Sequence, residues 1–149
     1  MTHVREDFQD ILDECGKLNI PIKKVDKHAL NVMTDNGSHQ GIVMETSPLD
    51  FEVVEKMPKN KATNIVSPPL YIALDKITDP MNVGSIIRTA SFFNISGVLM
   101  ETQECAPLNP VVSKASSGAL EIYPNILKTK NLMKLIENSK EDNYYIVGN

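Results

Sequence analysis

Residues 70–100, LYIALDKITDPMNVGSIIRTASFFNISGVLM, constrain this chain more than any other stretch. They read as strand, tight loop, helix and strand. The apolar run at 70–74 predicts a strand buried on both faces. Asp79-Pro80 breaks the chain, and Asn82 is placed to cap a helix. Val83, Ile86, Ile87, Ala90 and Phe93 recur at helical spacing and predict one apolar face. Gly97 ends the following turn, and residues 98–100 predict a second buried strand. Two strands joined through a helix in about thirty residues make a βαβ unit. Such a unit requires parallel pairing and a right-handed crossover.

The chemistry of this stretch lies in its loop and first helical turns. Asn82, Gly84 and Arg88 form N-x-G-x-x-x-R. Gly84 and Arg88 are four apart and share a face. Without a side chain, Gly84 lets a backbone or a phosphate come close. A helix N-terminus offers free N–H groups and a positive dipole end. Arg88 adds a planar cation suited to phosphate. Together they predict an anion site at the carboxyl end of a parallel strand. Plainer readings stand beside this one: Asn82 as a cap only, Gly84 as a packing glycine, Arg88 as a solvated helix residue. No P-loop or dinucleotide glycine pattern is present.

The same residues resemble a known motif. The run Asp75, Asp79, Pro80, Asn82, Gly84, Arg88, Ala90 is similar at every position to D-x-x-x-D-P-x-N-x-G-x-x-x-R-x-A. That is the first motif of the SpoU (TrmH-like) family of RNA ribose 2'-O-methyltransferases, in the SPOUT superfamily. HQG at 39–41 resembles the family's join between its RNA-binding and catalytic domains. VSKASSGALEIYP at 112–124 resembles its next helix and strand.

The resemblance implies an α/β fold. It makes residues 70–149 the N-terminal part of a parallel-sheet SPOUT (α/β knot) catalytic domain. Residues 1–46 become part of an L30e-like α/β domain that binds the RNA substrate, and 47–69 a linker. It implies S-adenosylmethionine as cofactor, ribosomal RNA as partner, guanosine as the modified nucleoside, and a homodimer for the full-length protein. Arg88 is similar to the family's catalytic arginine and Asn82 to a residue that orients substrate or arginine. Gly84, Arg88 and Lys114 are the expected RNA contacts, with a plain surface role for Lys114 kept open. His39 and Gln40 are expected to fix the domain join. The family's later motifs, which build the cofactor pocket and the dimer interface, have no match here. The expectation is therefore a fragment of a longer protein, with its cofactor residues beyond Asn149. A mitochondrial location is the first expectation and the cytoplasm the alternative.

Composition bounds the rest. Net charge is −4 over 149 residues, which argues against a globally basic nucleic-acid binder. RNA contact then requires a local patch, such as Lys56, Lys59 and Lys61, or Lys128, Lys130 and Lys134. Cys15 and Cys105 are far apart, and His3, His28 and His39 form no ligand pattern, so neither a disulfide framework nor a metal site is expected. A reducing compartment follows. No apolar run reaches membrane-spanning length, and the acidic N-terminus resembles neither a signal nor a transit peptide.

Along the chain, Val4, Phe8, Ile11, Leu12 and Cys15 predict a helix ending near Gly16. Strands are expected at 20–25, 41–45 and 51–54. Asp26 caps a short helix with Leu30, Val32 and Met33, and a turn falls at 35–38. Asn109-Pro110 starts a helix that Gly118 ends. A strand is expected at 120–123. Thr129 is expected to cap a helix packing through Leu132, Met133, Leu135 and Ile136, before a last strand at 144–147.

Three functions compete. The first is methyl transfer to a ribose of ribosomal RNA. The second is a non-catalytic RNA-binding or ribosome-assembly module. The third, a Rossmann-like nucleotide binder, is disfavoured by the missing glycine fingerprint.

Overall fold

A computed structural model describes residues 8–58, 68–142 and 144–148. The chain forms two compact units, Met1–Ser47 and Pro48–Asn149.

In the first unit, helix α1 spans Gln9–Lys17 and α2 spans Lys27–Met33. Val4 lies outside the described residues. The cap expected of Asp26 is present: its carboxylate accepts from the Ala29 N–H at 2.8 Å. The turn at 35–38 is present too, with Asp35 and Asn36 at positive φ of 50° and 57°. The strands expected at 20–25 and 41–45 are absent. Both segments lack a ladder partner among the described residues, and an apolar run alone does not make a strand. Neither helix contains a buried residue.

The second unit is built on a three-stranded parallel sheet, ordered β1 (Tyr71–Leu74), β2 (Gly97–Glu101), β3 (Ile126–Thr129). Helix α3 (Pro80–Phe92) carries the chain from β1 to β2. Helices α4 (Pro110–Ser116) and α5 (Ala119–Ile122) carry it from β2 to β3, and α6 (Leu132–Asn138) follows. Register places Tyr71 beside Gly97 and Val98 beside Ile126. The βαβ unit expected from residues 70–100 is therefore present, with parallel strands.

Alternation along β2 sorts the two cores. Val98, Met100 and Ile126 pack with Val83, Ile87, Ala90, Val112 and Leu120 beneath α3, α4 and α5. Leu99 and Leu127 face the other way and pack with Leu135 of α6 and with Met57. Central β2 is buried over its first four residues. β1 is not buried on both faces: Ala73 is exposed and only Leu74 is fully buried. Among the described residues β1 has a neighbour on one side only, so the expectation from its apolar run fails.

Four other local expectations change. Residues 120–123 lie in and just after α5, and the strand is β3 at Ile126–Thr129. The chain reverses through Ser117 and Gly118, both left-handed at φ 54° and 84°, which launches α5. Asn131, not Thr129, caps α6, accepting from Lys134 N at 2.8 Å. In α6, Leu132 and Leu135 are buried while Met133 is 66% exposed. Residues 144–147 join no ladder, and Tyr145 and Val147 are exposed.

Residues 51–57, within the stretch expected as a linker, pack on the second unit. Val53 bridges to Lys128 of β3 in parallel. Val54 N donates to Lys128 O at 2.7 Å, and Lys128 N donates to Glu52 O at 2.8 Å. Met57 N donates to the buried Ser139 Oγ at 2.9 Å. Lys59 and Lys61 lie outside the described residues.

Candidate active site on helix α3

Helix α3 starts three residues earlier than an Asn82 cap requires. Asp79 is the cap: its carboxylate accepts from Met81 N at 2.9 Å. Pro80 takes the first helical position, where its fixed φ and missing N–H carry no penalty. Asp79-Pro80 is thus the helix start rather than a break before it. Asn82 sits in the first turn, exposed, its carbonyl accepting from Ser85 Oγ at 2.9 Å.

Gly84 is buried against α4. A Cβ on Gly84 would lie 2.5 Å from Ala115 Cβ and 2.8 Å from Val112 O. The close approach that this glycine permits is that of another backbone, and α4 fills the space a phosphate would need. Of the two readings of Gly84, this geometry supports the plainer one. It is a packing glycine, and the α3–α4 crossing is the reason for its missing side chain.

Arg88 is exposed, and among the described residues it has no hydrogen bond or ion pair. It is the only charged residue in α3. It lies eight residues past Pro80, about 12 Å along the axis at 1.5 Å per residue. That separation belongs to the backbone, and the side chain shortens it. Long helical side chains lean toward the N-terminus, here the carboxyl edge of the sheet. Asn82, Ser85, Arg88, Thr89 and Phe92 recur at three and four residues and share the exposed side of α3. Ser85 and Thr89 were not singled out in the sequence. Thr89 Oγ1 donates to Ser85 O at 2.9 Å, so both hydroxyls turn back on the helix.

Phe93, expected to face the core, is 69% exposed. It caps the C-terminus of α3 and stacks edge-on with Phe92, ring centroids 5.2 Å apart. Lys114 is exposed in the last turn of α4, where a cation complements the helix carbonyls. His39 is tied within the first unit. Gly41 N donates to His39 Nδ1 at 3.2 Å, leaving Nε2 to donate to Asn31 Oδ1 at 2.8 Å. Of the lysine patches, Lys128 lies 4.8 Å over the Phe51 ring, while Lys130 and Lys134 are exposed.

At the carboxyl edge of the sheet, the loop after β1 is pinned by Ala106 N to Ile77 O at 2.8 Å and by Cys105 Sγ to Leu74 O at 3.3 Å. Burial pushes the Tyr71, Tyr123 and Tyr144 phenols above the ordinary tyrosine value of 10.0. The charge on Tyr71 adds to the shift of the other two. Tyr123 Oη donates to Ile95 O at 2.7 Å and so anchors the turn after α3.

Residues 69–149 match the SpoU rRNA Methylase family. That is more than half of the chain. The chain belongs to the SpoU family. Residues 3–52 match a second family, RNA 2'-O ribose methyltransferase substrate binding. Among curated relatives, the mitochondrial rRNA methyltransferase 1 of Schizosaccharomyces pombe is 34% identical, over 97% of this chain and 55% of its own length. That of Saccharomyces cerevisiae is 36% identical over 78% of this chain and 34% of its own length. The 23S rRNA (guanosine-2'-O-)-methyltransferase RlmB of Neisseria meningitidis is 32% identical over 94% and 54% respectively. The chain thus spans between about a third and just over half of these proteins. In fold it is similar to an AdoMet-bound rRNA methyltransferase from Sinorhizobium meliloti. The TM-score is 0.54 at 19% identity, over 88% of this chain and 47% of that one.

S-adenosylmethionine has an adenosine, a sulfonium and an amino-acid end, and needs a cleft with converging polar groups. Two concavities lie in the second unit, away from α3. One, of about 190 Å³, lies between residues 49–52 and the Tyr123–Ile126 region. The other, of about 340 Å³, is lined mainly by apolar side chains, including Tyr71, Ile72, Leu99 and Ile146. Neither includes Asn82 or Arg88. The described residues of this SpoU chain contain no cluster of metal-ligating side chains, and none of their helices is long and apolar enough to cross a membrane.

Proposed function

We propose that this chain is part of an RNA methyltransferase that uses S-adenosylmethionine to methylate the 2'-hydroxyl of a guanosine ribose in ribosomal RNA. The family assignment supports the reaction class, and the relatives' names support ribosomal RNA and guanosine. One observation carries the role of this chain: Arg88 is an exposed, unpartnered guanidinium on a helix otherwise free of charge. A ribose hydroxyl is a poor nucleophile, and the enzyme must align it and offset the developing negative charge. The cofactor supplies the electrophilic methyl group. Arg88 binds the phosphate next to the reacting sugar and stabilises the oxygen as it gains charge. A guanidinium stays protonated in proteins, so this role is electrostatic rather than that of a base. Asn82, nearer the helix start, orients the nucleotide. Lys114 contributes a phosphate contact.

In the full-length protein, Arg88→Ala should abolish methylation of ribosomal RNA while leaving the circular dichroism spectrum and melting temperature unchanged. Unaltered turnover would remove the assignment. The apolar residues exposed on α3, Met81, Phe92 and Phe93, support a homodimer of the full-length protein, checked by sedimentation. The mitochondrial relatives support a mitochondrial location, checked by fractionation.

A second reading concerns the chain on its own, as an RNA-binding module without catalysis, since it spans between about a third and just over half of its relatives' length. Calorimetry of the 149-residue chain with S-adenosylmethionine should show no saturable binding.

A further inference from the structure

We propose that Lys23, Lys24 and Lys27 form the RNA backbone contact of the first unit; this rests on the RNA-substrate reading above. The first unit has four lysines and no arginine between residues 8 and 47, and three of the lysines fall within five positions. All three are exposed, as is His28 beside them. Among the described residues none of the three is ion-paired, whereas Lys17 is held by Glu14 at 2.9 Å. The nearest acid in sequence, Asp26, has its carboxylate engaged as the α2 cap. Asp10, Asp13 and Glu14 lie together on α1 instead. Residues 23–27 thus carry three lysines to one aspartate, although the whole chain is negative.

The backbone around the lysines is the segment at 20–26 that forms no ladder. Ile22 and Val25, on either side of Lys23 and Lys24, are exposed at 51% and 37%. Cations with solvated apolar neighbours suit a polyanion whose bases also expose apolar faces. Lys128, by contrast, is occupied by the Phe51 ring. The principal electrostatic contact is therefore placed at the lysines leading into and starting α2 rather than at those in and after β3.

The test is binding of a stem-loop RNA to the 149-residue chain across a range of salt concentrations. Each lysine lost from a phosphate lowers the slope of log affinity against log salt by about 0.7 to 0.9. The triple variant Lys23→Ala/Lys24→Ala/Lys27→Ala should lose about two units of slope, and about tenfold or more of affinity at low salt. The triple arginine variant, which keeps the charge, should bind like the unaltered chain. The variant Lys130→Ala/Lys134→Ala should change the slope less than the triple alanine variant does. Unchanged affinity and slope in the triple alanine variant, with an unchanged circular dichroism spectrum, would overturn the proposal. Failure of the unaltered chain to bind RNA at all would overturn the RNA reading itself.

Discussion

Gly84 shows how a residue chosen for ligand access can instead be set by packing. Adding a single methyl at this position would press on Ala115 Cβ and on the Val112 carbonyl. Backbone cannot yield as a flexible side chain does, so Gly84→Ala should destabilise the second unit by about 1–3 kcal/mol. Urea denaturation checks this, and Ala115→Gly should restore only part, because the Val112 contact remains. The tyrosines give a pH prediction at the same scale. Their folded values lie above the ordinary 10.0, because burial disfavours the phenolate. Folding therefore holds these protons more tightly than the unfolded chain does. Their contribution is fully present below that ordinary value and lost as pH rises through the higher folded values. The urea midpoint should fall as pH is raised past 10.0. Replacing Tyr71, Tyr123 and Tyr144 by Phe should flatten that fall.

At the scale of the element, the start of α3 separates two asparagine and aspartate roles. Asp79 makes the cap hydrogen bond, and Asn82 does not. Asp79→Ala should cost about 1 kcal/mol of stability. Asn82→Ala should stay within about 0.5 kcal/mol, as exposed substitutions do. Thermal unfolding of the two variants discriminates them, and equal losses would restore Asn82 as the cap. The helix also spreads out the proposed site residues. Its rise puts Asn82 and Arg88 about 9 Å apart along the axis.

At the scale of the whole molecule, residues 51–57 complete the second unit. They pair with the outer side of β3 and lay Met57 over Leu99, Leu127 and Leu135. Ser139 Oγ is the keystone, accepting from Met57 N and donating to Leu135 O at 2.7 Å. Ser139→Ala would leave a buried N–H without a partner, a loss of about 1–3 kcal/mol. Hydrogen exchange should then show Val54 and Met57 amides opening together, ahead of β2. A polypeptide starting at Pro68 should be less stable than one starting at Pro48, since it bares the β3 edge and the Leu127 side of the sheet.

The βαβ unit was legible because its signals are local: a short apolar run, a cap, and apolar residues at helical spacing. The family motif was legible for the same reason, since its residues fall within one helix and its leading loop. Capping alone did not distinguish Asp79 from Asn82, or Asn131 from Thr129, because each pair offers a side-chain acceptor within a few positions. Strands were the poorest guide. Residues 20–25, 41–45 and 120–123 are as apolar as true strands, yet a strand exists only where a neighbour supplies the ladder. Pairing of that kind depends on residues distant in sequence, as does the burial of Gly84 beneath α4. The chain alone determined that a helix follows β1 and which motif residues it carries. Tertiary packing decided which of them, Arg88 rather than Gly84, remains open to a partner.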